Sequence, residues 1–250
     1  MSDRASETHF IGPLGSEFWQ IQVDPEAVPL LASKIDWNGL GRRVMIDPIA
    51  GIISWMSPAS THEDLAEATD EIVKAAGQII KGRVRGMRGT RWKRPEDPRN
   101  TGLEADASFY IGTKAEQWYA AIRQGWDKVE EFETRTPPDL VVEVEITHLD
   151  KDKPARYARL GISEMWQVTR RSQQDQYRIE VTILDLQAHG GPREVGQSRV
   201  LPGLTTPSLP KAYQLAIHGR SNGLQTLLDQ ELVSPKQVKK SEPPRSDPGM

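Results

Sequence analysis

The stretch that decides the reading is "DLVVEVEITHLDKDK", Asp139 to Lys153. It reads as a β-strand in which alternate residues face opposite sides. Leu140, Val142, Val144 and Ile146 then share one face, and Asp139, Val141, Glu143 and Glu145 share the other. The first face calls for a core. The second is either washed by solvent or holds something cationic.

Working outward, "EADASFYIG" (104–112) reads as a second strand with the same division. Ala107, Phe109 and Ile111 face one way, while Glu104, Asp106, Ser108 and Tyr110 face the other. If the two strands are neighbours, Asp106, Glu143 and Glu145 can converge. Crowded carboxylates raise one another's pKa unless a cation neutralises them. Oxygen donors suit Mg²⁺ or Mn²⁺. Lys153, opening the helix predicted over "DKPARYARLG", can reach the same cluster, where an ammonium orients water or stabilises charge on a phosphate. Taken singly, each of these residues also reads as an ordinary solvated charge.

Around these strands the pattern is mixed. "RRVMID" and "GIISWMSP" read as strands joined by a turn at "PIAG". "STHEDLAEATDEIVKAAGQIIKG" reads as a helix, with Leu65, Thr69, Ile72, Val73, Ala76 and Ile80 at helical spacing. "KAEQWYAAIRQGWDKVEEF" reads as one helix carrying Trp118, Ile122, Trp126 and Val129 on a stripe, the two tryptophans being core. "SEMWQVTR" and "YRIEVTILDL" are strands, and a C-terminal helix lies near "PKAYQLAIHG". The expectation is an α/β (mixed α+β) chain: one domain over 36–232 with a central mixed sheet flanked by helices. Residues 1–35 read as an extended arm. Residues 233–250, rich in Pro, Ser and Lys, read as a disordered tail.

Composition narrows the function classes. The chain has 250 residues, no cysteine and a formal net charge of −3. Disulfides and thiolate metal sites are excluded, and a reducing cytoplasm is the expected location. No apolar run has the length of a membrane span, and no secretory signal is expected. With this charge, any nucleic-acid footprint must be local. "KGRVRGMRGTRWKR" supplies a candidate, read as extended: Arg83, Arg85, Arg88, Arg91 and Lys93 lie among seven basic residues with no acid between them. The same stripe also reads as a basic edge strand that resists pairing. The five histidines have no metal-ligand spacing, and "GRSNG" (219–223) reads as a turn rather than a nucleophile elbow.

"PDLVVEVEIT" followed by "DKPARYARLGISEMW" resembles the Uma family of restriction-endonuclease-like proteins, in the PD-(D/E)XK nuclease superfamily. The hairpin "RVMIDPIAGIISWMSP", the helix opening with "HEDL", the strand "EADASFYIG" and the later "SRVLPGL" resemble it in the same order, over residues 40 to 215. The resemblance implies a restriction-endonuclease-like fold and a Mg²⁺- or Mn²⁺-dependent endonuclease acting on DNA, with RNA and a homodimer left open. It implies Asp106 as the first metal-binding aspartate and Glu143 as the acidic residue of the second motif. The superfamily's usual lysine position holds Glu145 here, and Lys153 stands where this family places its lysine. Asp106, Glu143 and Lys153 are thus the implied catalytic set, with Glu145 as a further metal ligand and Glu63 as an additional acidic position. The alternative is an inactive nucleic-acid- or partner-binding module on the same fold.

Overall fold

The computed structural model describes residues 6–11, 17–34, 43–47, 49–57, 60–80, 82–87, 90–93, 102–145, 150–173 and 176–233. In chain order the strands are β1 (Ser6–Ile11), β2 (Glu17–Gln22), β3 (Arg43–Asp47), β4 (Ile52–Ser57), β5 (Val84–Gly86), β6 (Arg91–Lys93), β7 (Gly102–Glu104), β8 (Ala107–Ile111), β9 (Leu140–Glu145), β10 (Glu164–Gln173), β11 (Gln176–Asp185) and β12 (Arg193–Val195). The helices are α1 (Val28–Lys34), α2 (Ser60–Ile79), α3 (Thr113–Ile122), α4 (Trp126–Arg135), α5 (Lys153–Arg159), α6 (Leu209–Ile217) and α7 (Ser221–Val233).

The mixed α/β class expected from the sequence is what the structure shows, but the strands divide between two sheets where one was expected. One sheet runs β1-β2-β4-β3-β7-β6, the other β12-β11-β10-β9-β8-β5. The reason lies in two bent segments. β7 and β8 belong to different sheets and are separated only by Ala105 and Asp106. β5 and β6 part in the same way, and each pairs antiparallel with its counterpart, β5 with β8 and β6 with β7. A two-stranded ribbon therefore passes from one sheet to the other, and Asp106 stands at its bend. The basic stripe expected to run as one extended segment is split by this bend between the edges of the two sheets.

The second sheet positions the site. β8 pairs antiparallel with β9, and β9 pairs parallel with β10, a pairing that needs a crossover, which α5 supplies. The apolar stripe of α2 (Leu65, Ala68, Ile72, Val73, Ala76) packs with Phe109, Leu140, Val142 and Val144 in the main core. α6 and α7 close the same layer through Tyr213, Leu224 and Leu228. Each large aliphatic side chain removed from water here contributes ~1.5–3 kcal/mol. The opposite side of β9 is covered as well: Val141 joins Tyr157, Ile162, Met165 and Leu184 in a second cluster. All six residues of β9 are buried. The acid-bearing face of this strand is therefore largely covered rather than washed by solvent.

Further expectations change. The single helix over 114–132 is two helices, because Gly125 takes φ 135° between them. Trp118 is buried as expected, in a cluster with Trp92 and Tyr110. Trp126 is not: it opens α4 at 73% exposure. Residues 1–35, read as an extended arm, hold the β1–β2 hairpin paired to β4, and the helix α1. Ser221 opens α7 rather than sitting in a free turn. His148 and residues 234–250 lie outside the described residues.

Candidate active site

The pairing of β8 with β9 puts Ala107 opposite Val142, so that one step further along Asp106 meets Glu143. Asp106 is 5% exposed. Its Oδ2 accepts the Val144 amide at 2.5 Å, so the bend of one strand is tied to the backbone of the next. The same oxygen lies 3.0 Å from Nε2 of His62, and the other ring nitrogen of His62 is 3.6 Å from Glu63 Oε1. Glu63, more than half exposed at the start of α2, thus approaches the site through His62.

Glu143 is 1% exposed and has both oxygens engaged by α5. Lys153 Nζ donates to Oε2 at 2.6 Å, and Tyr157 Oη donates to Oε1. Lys153 and Tyr157 are four residues apart, hence on one face of the helix. Pro154 in the first turn suits the helix start, where its missing N–H costs nothing. Burial favours the neutral amine of Lys153, but Glu143 and Glu145 together outweigh it and hold the pKa above its ordinary value. Burial and the neighbouring Glu143 carboxylate push the Tyr157 phenol well up, so Tyr157 is a proton donor to Glu143 throughout the neutral range.

Glu145 is held differently. Gln167 Nε2 donates to its Oε2 at 3.3 Å. Its Oε1 is buried without a hydrogen bond and lies 3.8 Å from Lys153 Nζ. Burial raises its pKa to about 7; the Lys153 ammonium opposes the rise, while Glu143 and Asp150 add to it. Glu145 therefore shares a proton with solvent near neutrality, unlike an ordinary carboxylate.

Asp106, Glu143, Glu145 and Lys153 are thus brought together. Among the described residues, however, no group of three or more His, Asp or Glu side chains is arranged to hold a metal ion. The donor chemistry still fits a hard divalent cation: the facing groups are carboxylate oxygens, one of them without a hydrogen-bond donor. Mg²⁺ in such sites takes one or two carboxylates and completes its shell with water and substrate phosphate. Asp106, Glu143 and Glu145, whose Oε1 is the oxygen without a hydrogen bond, are the residues that would hold it.

Of the basic stripe, the described side chains of Arg83 and Arg85 are engaged on α3. Arg85 lies over the Trp118 ring, 3.9 Å from its centroid, and Arg83 over Tyr119 at 5.7 Å. Both cations are engaged with aromatic faces on α3. Arg91 and Lys93 lie on β6 in the other sheet, with side chains outside the described set, and Arg88 is outside it altogether.

His62, Tyr157 and Gln167 were missed from the sequence. For His62 a signal existed in its place directly before Glu63, and for Tyr157 in the four-residue step from Lys153. Gln167 reaches Glu145 because it sits across from Glu143 in the parallel register, which the sequence does not carry.

The structure thus gathers a carboxylate at a sheet bend, a second on the neighbouring strand and a lysine on the crossover helix. The family model "Uma2: Putative restriction endonuclease" matches residues 35–218, nearly three quarters of the chain, and the chain belongs to that family. No curated protein matches it. No helix among the described residues is long and apolar enough to cross a membrane.

Proposed function

We propose that the protein is an endodeoxyribonuclease dependent on Mg²⁺ or Mn²⁺, with Asp106, Glu143 and Lys153 as its catalytic residues. The observation that carries this reading is the Lys153 ammonium seated on the Glu143 carboxylate, on the strand next to Asp106. A divalent cation on Asp106 and Glu143 would supply Lewis-acid charge against the phosphate and lower the pKa of an attacking water. The chain's own residues do the rest. Val144 and His62 fix Asp106, and Tyr157 fixes Glu143, so neither carboxylate must reorganise when substrate arrives. Lys153 places a full positive charge beside the scissile phosphate and stabilises the charge that develops on its oxygens. Glu145, with its pKa near 7, can accept a proton from water at physiological pH. Glu63 extends the acidic edge through His62.

The competing reading is a silent binding module. It draws on the same Lys153–Glu143 contact, which closes one carboxylate to a cation. The experiment is cleavage of supercoiled plasmid and of single-stranded DNA and RNA over a Mn²⁺ titration, with wild type, Lys153→Ala and Asp106→Asn. Cleavage by wild type alone supports the nuclease. No cleavage by wild type, with Mn²⁺ bound in calorimetry by Lys153→Ala but not by wild type, favours the module.

A further inference from the structure

Helix α5 presents two polar faces. Lys153 and Tyr157 meet Glu143, whereas Arg156, between them in sequence, meets a different set of acids. Arg156 is 6% exposed. Its Nε lies 2.7 Å from Asp47 Oδ2, its Nη1 3.1 Å from Asp150 Oδ2 and its Nη2 3.9 Å from Asp152 Oδ2. Asp47, 4% exposed, ends β3 in the other sheet. Its Oδ1 accepts the amides of Ile49 and Ala50, both at 3.0 Å, so this carboxylate is fixed by its own turn before it meets the arginine. Arg159 Nη2 stands 3.8 Å from the same Oδ2.

A seven-residue helix has little stability of its own, and α5 has no side-chain cap at its N-terminus. Its placement must come from tertiary contacts. Apolar packing of Tyr157 supplies depth but little direction, because dispersion is not oriented. A planar guanidinium held between two carboxylates from separate segments does fix a direction. We infer that Asp47 and Arg156 are positioning residues: they clamp α5 to the β3–β4 hairpin of the opposite sheet and thereby keep Lys153 on Glu143. The catalytic consequence rests on the nuclease reading; the positioning does not.

The test uses the full chain with Asp47→Asn, Arg156→Gln and the double variant, which replaces the buried ion pair by a neutral hydrogen-bonding pair. Trace labelling with acetic anhydride, read by mass spectrometry, gives the relative reactivity of each lysine. Lys74 and Lys128, in surface ion pairs, serve as internal references. In wild type, Lys153 should be among the slowest lysines to react. In each folded variant it should react several-fold faster while Lys74 and Lys128 stay unchanged. An unchanged Lys153 rate in any folded variant overturns the inference, as does loss of the fold in all three, which would make the pair a general strut. If wild type cleaves DNA, Asp47→Asn should lower kcat with KM unchanged, and should add no further loss in a Lys153→Ala background; additive losses overturn the inference. If wild type cleaves nothing, the nuclease reading fails and the labelling still decides the positioning.

Discussion

Replacing Glu145 by Gln should stabilise the protein at alkaline pH and barely change it in acid. Glu145 is buried, one oxygen lacks a donor, and its pKa is raised from 4.5 to about 7. The sign follows from proton binding. Below pH 4.5 the carboxyl is neutral in both the folded and the unfolded chain, and the fold carries no penalty. Between 4.5 and 7 the unfolded chain releases the proton that the folded chain keeps, so stability falls as pH rises. Above 7 the penalty is complete, and at 1.36 kcal/mol per pKa unit it amounts to about 3 kcal/mol. Glutamine has nearly the same shape, can accept from Gln167 through its amide oxygen, and never ionises. The gain should therefore be about 1 kcal/mol at pH 5 and about 3 kcal/mol at pH 8. For a chain of this size that is a rise in Tm of roughly 6–12 °C at pH 8. Urea unfolding of both proteins at the two pH values, followed by circular dichroism, makes the comparison. An equal gain at both pH values, or a loss at pH 8, would refute the burial argument.

Lys153→Ala should lower the cleavage rate about 10²–10³-fold with Mn²⁺ affinity unchanged or higher, since a charge that opposes the cation is gone; plasmid nicking and calorimetry read the two effects. Glu143→Ala should weaken Mn²⁺ binding and also destabilise by about 3–5 kcal/mol, because Lys153 and Tyr157 are left buried without their acceptor; an unchanged urea midpoint would contradict this. Trp118→Ala should cost about 3–5 kcal/mol, and Trp126→Ala less than about 0.5, as their burial differs so widely; thermal melts separate the two. Removal of residues 234–250, poor in apolar groups, should leave Tm unchanged.

The parity of β8 and β9 was legible because period two survives any tertiary context. It brought Asp106, Glu143 and Glu145 to neighbouring strands and set the aliphatic face against α2. The second face of β9 stayed open between solvent and a cation for the same reason: alternation reports that two faces differ in polarity, not whether the polar one is wet. Whether it is covered depended on α5 and on Met165 and Leu184, which join Val141 from elements further along the chain. The split into two sheets was equally hidden. It depends on a bend at Ala105 and Asp106, in a stretch whose residues suit a continuous strand. Trp126 keeps its helical spacing from Trp118 and Ile122 on paper, but Gly125 breaks the helix one residue before it. Asp47 and Arg156 gave no signal at all, because an ion pair between a strand and a distant helix has no local period.

The site is costly as it stands. Asp106, Glu143 and Glu145 occupy positions that apolar residues would fill with greater stability, since a buried ion pair commonly does no better than a packed apolar pair. Lys153 offsets part of this cost by sitting on Glu143, and Glu145 offsets more of it by taking up a proton. Neither resolves the cluster: Lys153 is 2.6 Å from one glutamate and 3.8 Å from the other, and one Glu145 oxygen has no hydrogen bond. An arrangement serving only the fold has little reason to retain three carboxylates beside one ammonium and one imidazole. In the proposed reading the deficit has a use. Were a cation held by Asp106 and Glu143, it would relieve the carboxylates and weaken the hold of Glu143 on Lys153, leaving the lysine's charge for the phosphate. The same lysine then neutralises the resting site and serves the reaction, and the silent-module reading corresponds to a Lys153 that does not yield. Thermal melts of wild type and Lys153→Ala with and without Mn²⁺ separate the two. Stabilisation of both proteins is expected if Lys153 yields; stabilisation of Lys153→Ala alone would mean that the lysine keeps the site shut.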